Sequence, residues 1–302
     1  MCMQISAILS DYDGTLCPTT SIRGEENIIP EKLENILWDI SEKIPVCIVS
    51  SKDFGFLHNK TKFASIVSCI LGIETLVTKR HKKAMHAPTD SREHVSYDIT
   101  SECQDFRCIK NSYISVDDTT LQHNSKLLSQ LAEEIASDFR EVAIEYKFLV
   151  TYEKVLAGIT IDWRHTNDWN SFKAKSEPQI RKAISEKQKE LEQQHGRPSN
   201  IEIQTYATHP FIDIYATKCD KGTGYKTVVS KIPIIDSAIH NVMYLGDSEN
   251  DNLAFRKADI SVGVNSDKRL NPNLECKYTV KFDKLADFLE KLRNDNFVFH
   301  DI

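Results

Sequence analysis

Two carboxylates stand two residues apart in the stretch AILSDYDGTLCP, at Asp11 and Asp13. Side chains at i and i+2 of an extended chain share one side. Two anions held that way repel each other, so a positive charge is expected between them. Hard carboxylate oxygens suit Mg²⁺. A second acidic group lies far along the chain in YLGDSENDN, with Asp247, Asn250 and Asp251. Lys221 precedes two glycines in CDKGTG, and Ser50 follows an apolar run in CIVSSKD. Carboxylates suited to a hard cation, with a hydroxyl and an ammonium, are groups that can do chemistry if the fold brings them together.

Elements of two kinds must position them. Ile5 to Ser10 and Val46 to Val49 read as continuous apolar strands, with a helix over Pro30 to Lys43 between them. That helix carries Leu33, Ile36, Leu37 and Ile40 at helical spacing and opens on proline. Apolar strands separated by helices imply a parallel sheet covered on both faces. The basic, proline-bearing stretch 79–118 reads as a linker or surface excursion. A different order follows, in which His123 to Glu141 is an amphipathic helix, then VAIEYKFLV and VLAGITIDWR form a hairpin. Glu177 to His195 is a second helix, ended by Gly196 and Pro198, and IEIQTYA and FIDIYA form a second strand pair. This αββαββ order implies an antiparallel sheet with helices on one face. From Asp220 the parallel rhythm returns, with a helix in KGTGYKTVVSKI, strands in NVMYLGD and DISVGV, and closing helices. The tail NFVFHDI has apolar side chains enough to dock, with no place fixed by pattern. The expectation is an α/β protein: a Rossmann-like parallel-sheet core from residues 1–82 and 217–302, with an α+β unit inserted over 83–216. In open α/β sheets ligands bind at the carboxyl ends of strands, where the acids, Ser50 and the Lys221 loop fall.

Bulk composition narrows the function. A net charge of −6 over 302 residues argues against a nucleic-acid partner. No apolar run reaches the length of a bilayer span, and MCMQISAILSDYDG lacks the basic start of a signal peptide. The eight cysteines show no Cys-x-x-Cys pair, which fits reduced thiols in a cytoplasmic protein better than a disulfide frame or zinc site. A monomer or homodimer is expected.

The motifs together resemble the haloacid dehalogenase superfamily of phosphohydrolases. DYDGT matches its first motif, IVSS its second, DKG the lysine motif of the large-cap branch, and GDSENDN its fourth. They stand in the family's order, with the αββαββ unit where that branch places its cap. The resemblance implies Asp11 as nucleophile, Asp13 as proton carrier and Lys221 as the phosphate-neutralising cation. It implies Mg²⁺ held by Asp11, Asp13 (through its carbonyl), Asp247 and Asp251, with Ser50 and Asn250 at the phosphate. The substrate would be a small phosphate ester, that of a sugar or sugar derivative, with a phosphosugar mutase or generalist phosphatase as alternatives using the same intermediate. The cap order resembles trehalose-6-phosphate, sucrose-phosphate and mannosyl-3-phosphoglycerate phosphatases. GITIDWR resembles the first group and makes Arg164 a candidate substrate contact; the alternative is a surface ion pair. SSKDF is nearer to the last group, and LGIETLV departs from the Asn-Gly or His-Gly pair usual at a cap entrance. His165 and His209 are cleft candidates, whereas Trp163 and Trp169 read as cap core.

Overall fold

The first strand, β1 (Cys2–Ser10), turns fully buried over its second half, as a strand covered on both faces must. The computed structural model describes residues 2–18, 28–79, 108–139, 142–164, 166–196, 200–205, 210–233, 241–265 and 273–300. Helix α1 (Glu31–Ser41) buries Leu33, Ile36, Leu37 and Ile40, the stripe its spacing predicts. The strands β2 (Val46–Val49) and β3 (Ile66–Cys69) are wholly buried, with the short helix α2 (Phe54–His58) between them. Next, β4 (Glu74–Thr78) and β5 (Ile109–Ile114) turn antiparallel and extend the same sheet. The second half of the chain adds α5 (Lys221–Lys231), β10 (Asn241–Gly246), α6 (Asn252–Phe255), β11 (Ile260–Asn265), β12 (Tyr278–Lys281), α7 (Leu285–Asn294) and β13 (Val298–His300). Along the sheet the order is β12-β11-β10-β1-β2-β3-β4-β5, and β1 lies between β10 and β2, parallel to both. The tail therefore has a place: β13 runs antiparallel to the start of β1.

A second, four-stranded antiparallel sheet is built from β6 (Ala143–Phe148), β7 (Leu156–Asp162), β9 (Phe211–Tyr215) and β8 (Glu202–Thr205), in that order. Helices α3 (Asp118–Asp138) and α4 (Trp169–His195) accompany it. Leu128, Leu131, Ile180 and Ile184 of the helices join Ile159, Ile161, Ile212 and Ile214 of the sheet in one apolar core. The αββαββ expectation and the mostly parallel first sheet are both present.

Two differences have physical causes. Helix α4 starts at Trp169, not near Glu177, because Asp168 caps it by accepting from the Ser171 amide and the chain continues helically through Pro178. Strand β5 lies within the span 83–216 yet pairs with β4, since its edge position demands little apolar character. Of the 79–118 stretch, residues 80–107 lie outside the described residues.

Candidate active site

The ends of β1 and β10 are neighbours in register, with Ser10 opposite Leu245 and the Asp11 amide donating to the Leu245 carbonyl at 2.9 Å. This brings the acids from opposite ends of the sequence together. Gly14 makes the turn after them with φ +81°, a conformation L side chains avoid. A Cβ there would stand 2.1 Å from Asp247 Oδ2, so glycine lets the two segments close up. Thr15 Oγ1 donates to Asp247 Oδ1 at 3.2 Å and orients that carboxylate.

Asp11, Asp247 and Asp251 each offer an oxygen within 4.8 Å of the others. Buried Lys221 bridges two of them, at 2.9 Å from Asp11 and 2.8 Å from Asp251. Position 221 opens α5, and Asp220 ahead of it caps that helix by accepting from the Thr223 amide. Both Asp251 oxygens are engaged: Oδ1 accepts from Lys221 and from the Tyr244 hydroxyl at 2.7 Å, and Oδ2 from the Asp247 and Ser248 amides and the Ser248 hydroxyl. Asp251 thus braces the lysine and the loop. Asn250 shares its turn and is half-buried.

One ammonium among three carboxylates leaves negative charge uncompensated. Burial pushes the Asp11 carboxyl up to about 7 despite the pull of Lys221, with Asp251 and Asp13 adding to the rise. Burial also raises Asp247 well above the carboxylate range, reinforced by Asp11 and Asp251. Burial opposes the charge on Lys221, but Asp11 and Asp251 more than offset it and hold the ammonium above its usual range. A dense, all-oxygen, electron-rich cluster is the donor set a hard divalent cation takes, so Mg²⁺ fits Asp11 and Asp247. The Asp13 carboxylate is not among the three grouped here, and the metal contact expected of Asp13 is through its backbone carbonyl. Its side-chain Oδ1 lies 3.8 Å from Cys17 Sγ, and its backbone bridges to Cys17.

Ser50 follows β2, the strand paired with β1, and is 1 % exposed. Its hydroxyl accepts from the Lys52 amide at 3.2 Å, and its carbonyl accepts from the Leu71 amide at 2.9 Å. The turn at Ile70–Gly72 lies where the sequence lacks an Asn-Gly or His-Gly pair. Leu71 has φ 52° and Gly72 φ 91°, the left-handed backbone for which asparagine and glycine are the usual choices. Gly72 packs on α5 so closely that a Cβ would be 2.6 Å from the Gly224 amide.

Arg164 follows β7. It is held by Asp162 (2.8 Å) and Glu145 (2.8 Å), and Glu145 also takes Lys52 at 3.1 Å. Both cations feel Asp13, so this ion-pair chain spans from the second sheet to the catalytic edge. Burial would raise Glu145, but Lys52 and Arg164 prevail and hold it down to about 2. Trp163 is buried and Trp169 packs on the same core, as expected; His165 and His209 lie outside the described residues.

Sequence reasoning missed Thr15, Tyr244, Lys52 and Glu145. Tyr244 sits in an apolar strand and reads as core. Lys52 was within reach as the second residue past Ser50, and Glu145 because it shares a strand face with Lys147.

The profile of the haloacid dehalogenase-like hydrolase family matches residues 8–273. No curated protein matches the sequence. Among solved structures, a trehalose-6-phosphate phosphatase related protein aligns with TM-score 0.59 and 16% identity, over 96% of this chain and 97% of that one. The C-terminal domain of Candida albicans trehalose-6-phosphate phosphatase aligns with TM-score 0.61 and 18% identity, over 96% and 92%. A Streptococcus mutans UA159 protein aligns with TM-score 0.56 and 14% identity, over 96% and 99%. These likenesses establish a shared fold.

Proposed function

The chain belongs to the haloacid dehalogenase-like hydrolase family, and on that premise we propose that it is a Mg²⁺-dependent phosphomonoesterase acting on a phosphorylated sugar. The observation that carries this reading is the buried meeting of Asp11, Asp247, Asp251 and Lys221 at the carboxyl ends of β1 and β10.

The Asp11 carboxylate attacks phosphorus, forming an aspartyl-phosphate and breaking the bond to the sugar oxygen. Asp13 gives that departing oxygen a proton, then takes one from the water that attacks phosphorus and frees Asp11. Lys221 and Ser50 bind the phosphoryl oxygens, with Asn250 ordering the loop beside them. Asp251 keeps Lys221 and the 247–248 amides in position. Mg²⁺, held by Asp11 and Asp247 with Asp13 and Asp251 in support, would offset the charge that phosphate adds to the cluster.

The inserted unit, spanning 83–216 apart from β5, closes over the site and selects the ester, with Arg164 facing the substrate. The trehalose-6-phosphate phosphatase named for the Candida structure supports a sugar phosphate.

Phosphate release across a panel of phosphate esters, with Mg²⁺ and with EDTA, tests the reading, with Asp11→Asn as control. Metal-dependent turnover lost in the variant is expected. A folded protein that releases no phosphate from any ester overturns it, and label retained in an isomerised product would mark a mutase instead.

A further inference from the structure

The second sheet turns a charged face toward the core. Glu145 and Lys147 of β6 share that face, opposite Thr160 and Gly158 of β7, and Asp213 of β9 lies across from Thr160. Its direction is fixed at two places. Glu145 meets Lys52, two residues past Ser50, and Gln204 of β8 donates to the carbonyl of Cys219 at 3.0 Å, just ahead of Lys221.

Every cation among the described residues of this face is matched. Lys147 is 2.8 Å from Asp213 and 3.2 Å from the Tyr215 hydroxyl, and Thr160 donates to the same Asp213 carboxylate. Arg164 is closed by Asp162 and Glu145, and Lys52 by Glu145. Three cations thus face three carboxylates, and among the described residues of the face Glu202 adds only further negative charge. Lys221 is committed to Asp11 and Asp251 and, on the reading above, to the phosphoryl group.

Resting on that reading, we propose that the part of the substrate beyond the scissile phosphate is uncharged: a hydroxyl-rich neutral sugar, and not an ester carrying a carboxylate or a second phosphate. An added anion would lose its water opposite Glu145 and Asp213 with no unmatched cation among the described residues of the face to receive it. Freeing Lys147 means breaking a buried pair, and freeing Lys52 or Arg164 a partly buried one, and each leaves negative charge uncompensated. Hydroxyls donate to the carboxylates and accept from the ammonium and guanidinium groups without disturbing neutrality.

The test compares kcat/KM, with Mg²⁺, for glucose 6-phosphate and trehalose 6-phosphate against 6-phosphogluconate and fructose 1,6-bisphosphate, with p-nitrophenyl phosphate as the generic ester. Neutral sugars are expected to lead by about tenfold or more. Glu145→Gln, which releases Lys52 and takes one of its two carboxylates from Arg164, should narrow that gap, whereas Lys52→Gln should not. Equal or better turnover of the charged esters by the wild-type protein overturns the inference and leaves the phosphatase reading standing; this arm needs no variant to fold. A gap unmoved by a folded Glu145→Gln also overturns it. No release from any ester, the nitrophenyl one included, sinks the phosphatase reading and the inference with it.

Discussion

Replacing Lys221 with methionine removes the cation that bridges two carboxylates of the acidic cluster. The lysine side chain is 3% exposed and pairs with Asp11 and Asp251, themselves almost fully buried. Methionine conserves the stem, so little volume is lost. What remains is an uncompensated set of buried anions, for which removal of one ion-pair partner costs about 3–5 kcal/mol. The loss should depend on pH in a definite sense. Burial already lifts Asp11 to about 7 against the attraction of Lys221. Between its unfolded value and that point the folded state holds the extra proton, so stability grows as pH falls through 7. Without Lys221 the carboxyl rises further and takes its proton sooner. Urea unfolding of the metal-free variant at pH 8 should therefore show nearly the full loss, and at pH 5.5 a clearly smaller one. A loss under about 1 kcal/mol at pH 8, against the expected range, or a loss equal at the two pH values, would refute the electrostatic account of the cluster.

Other outcomes follow from the same geometry. Mg²⁺ should raise the melting temperature of the wild-type protein, and more at pH 8 than at pH 6, because below 7 protons compete for Asp11; equal shifts would argue that the metal sits elsewhere. Gly14→Ala must hold a side chain at φ +81° and 2.1 Å from Asp247 Oδ2. The backbone alone costs about 1–2 kcal/mol, and phosphate release should collapse with the displaced carboxylate, as steady-state kinetics would show. Glu74, wholly buried on β4, accepts from the Val150 and Thr151 amides and the Thr151 hydroxyl. Glu74→Ala should cost about 1.5–3 kcal/mol by orphaning them, measurable by chemical denaturation; a neutral result would mean that the hairpin finds other partners.

Much of this was legible because the strands of a covered parallel sheet have to be continuous apolar runs, and β1, β2, β10 and β11 are. The chemistry announces itself where such runs stop at Asp11, Ser50 and Asp247. The helix stripes of α1 and α3 were equally plain. Strand β5 was not, because an edge strand tolerates the polar pattern IKNSYI, and β4 hides behind a turn whose left-handed Leu71 carries no conventional turn residue. The ion pairs of Glu145, Arg164 and Lys52 depend on how two sheets face one another, which spacing within either cannot reveal. Sequence makes Arg164 either a substrate contact or an ion-pair arginine; the structure displays the ion pair.

The contact of Gly72 with Gly224 has a consequence for how such an enzyme can change. These glycines flank the inserted unit in sequence, one directly after Leu71, whose amide donates to the Ser50 carbonyl, and the other one turn into the helix that begins at Lys221. Their backbones touch, and Gly224 in turn leaves no room for a Cβ beside Ser68 Oγ, 2.8 Å away. The hydroxyl and the ammonium are therefore registered to each other through main chain alone, without the intervening unit. Loops and strands of that unit can lengthen, shrink or exchange side chains, altering which ester is admitted, while the geometry that handles phosphorus stays fixed. Selectivity and chemistry can drift independently so long as those two positions keep hydrogen as their side chain.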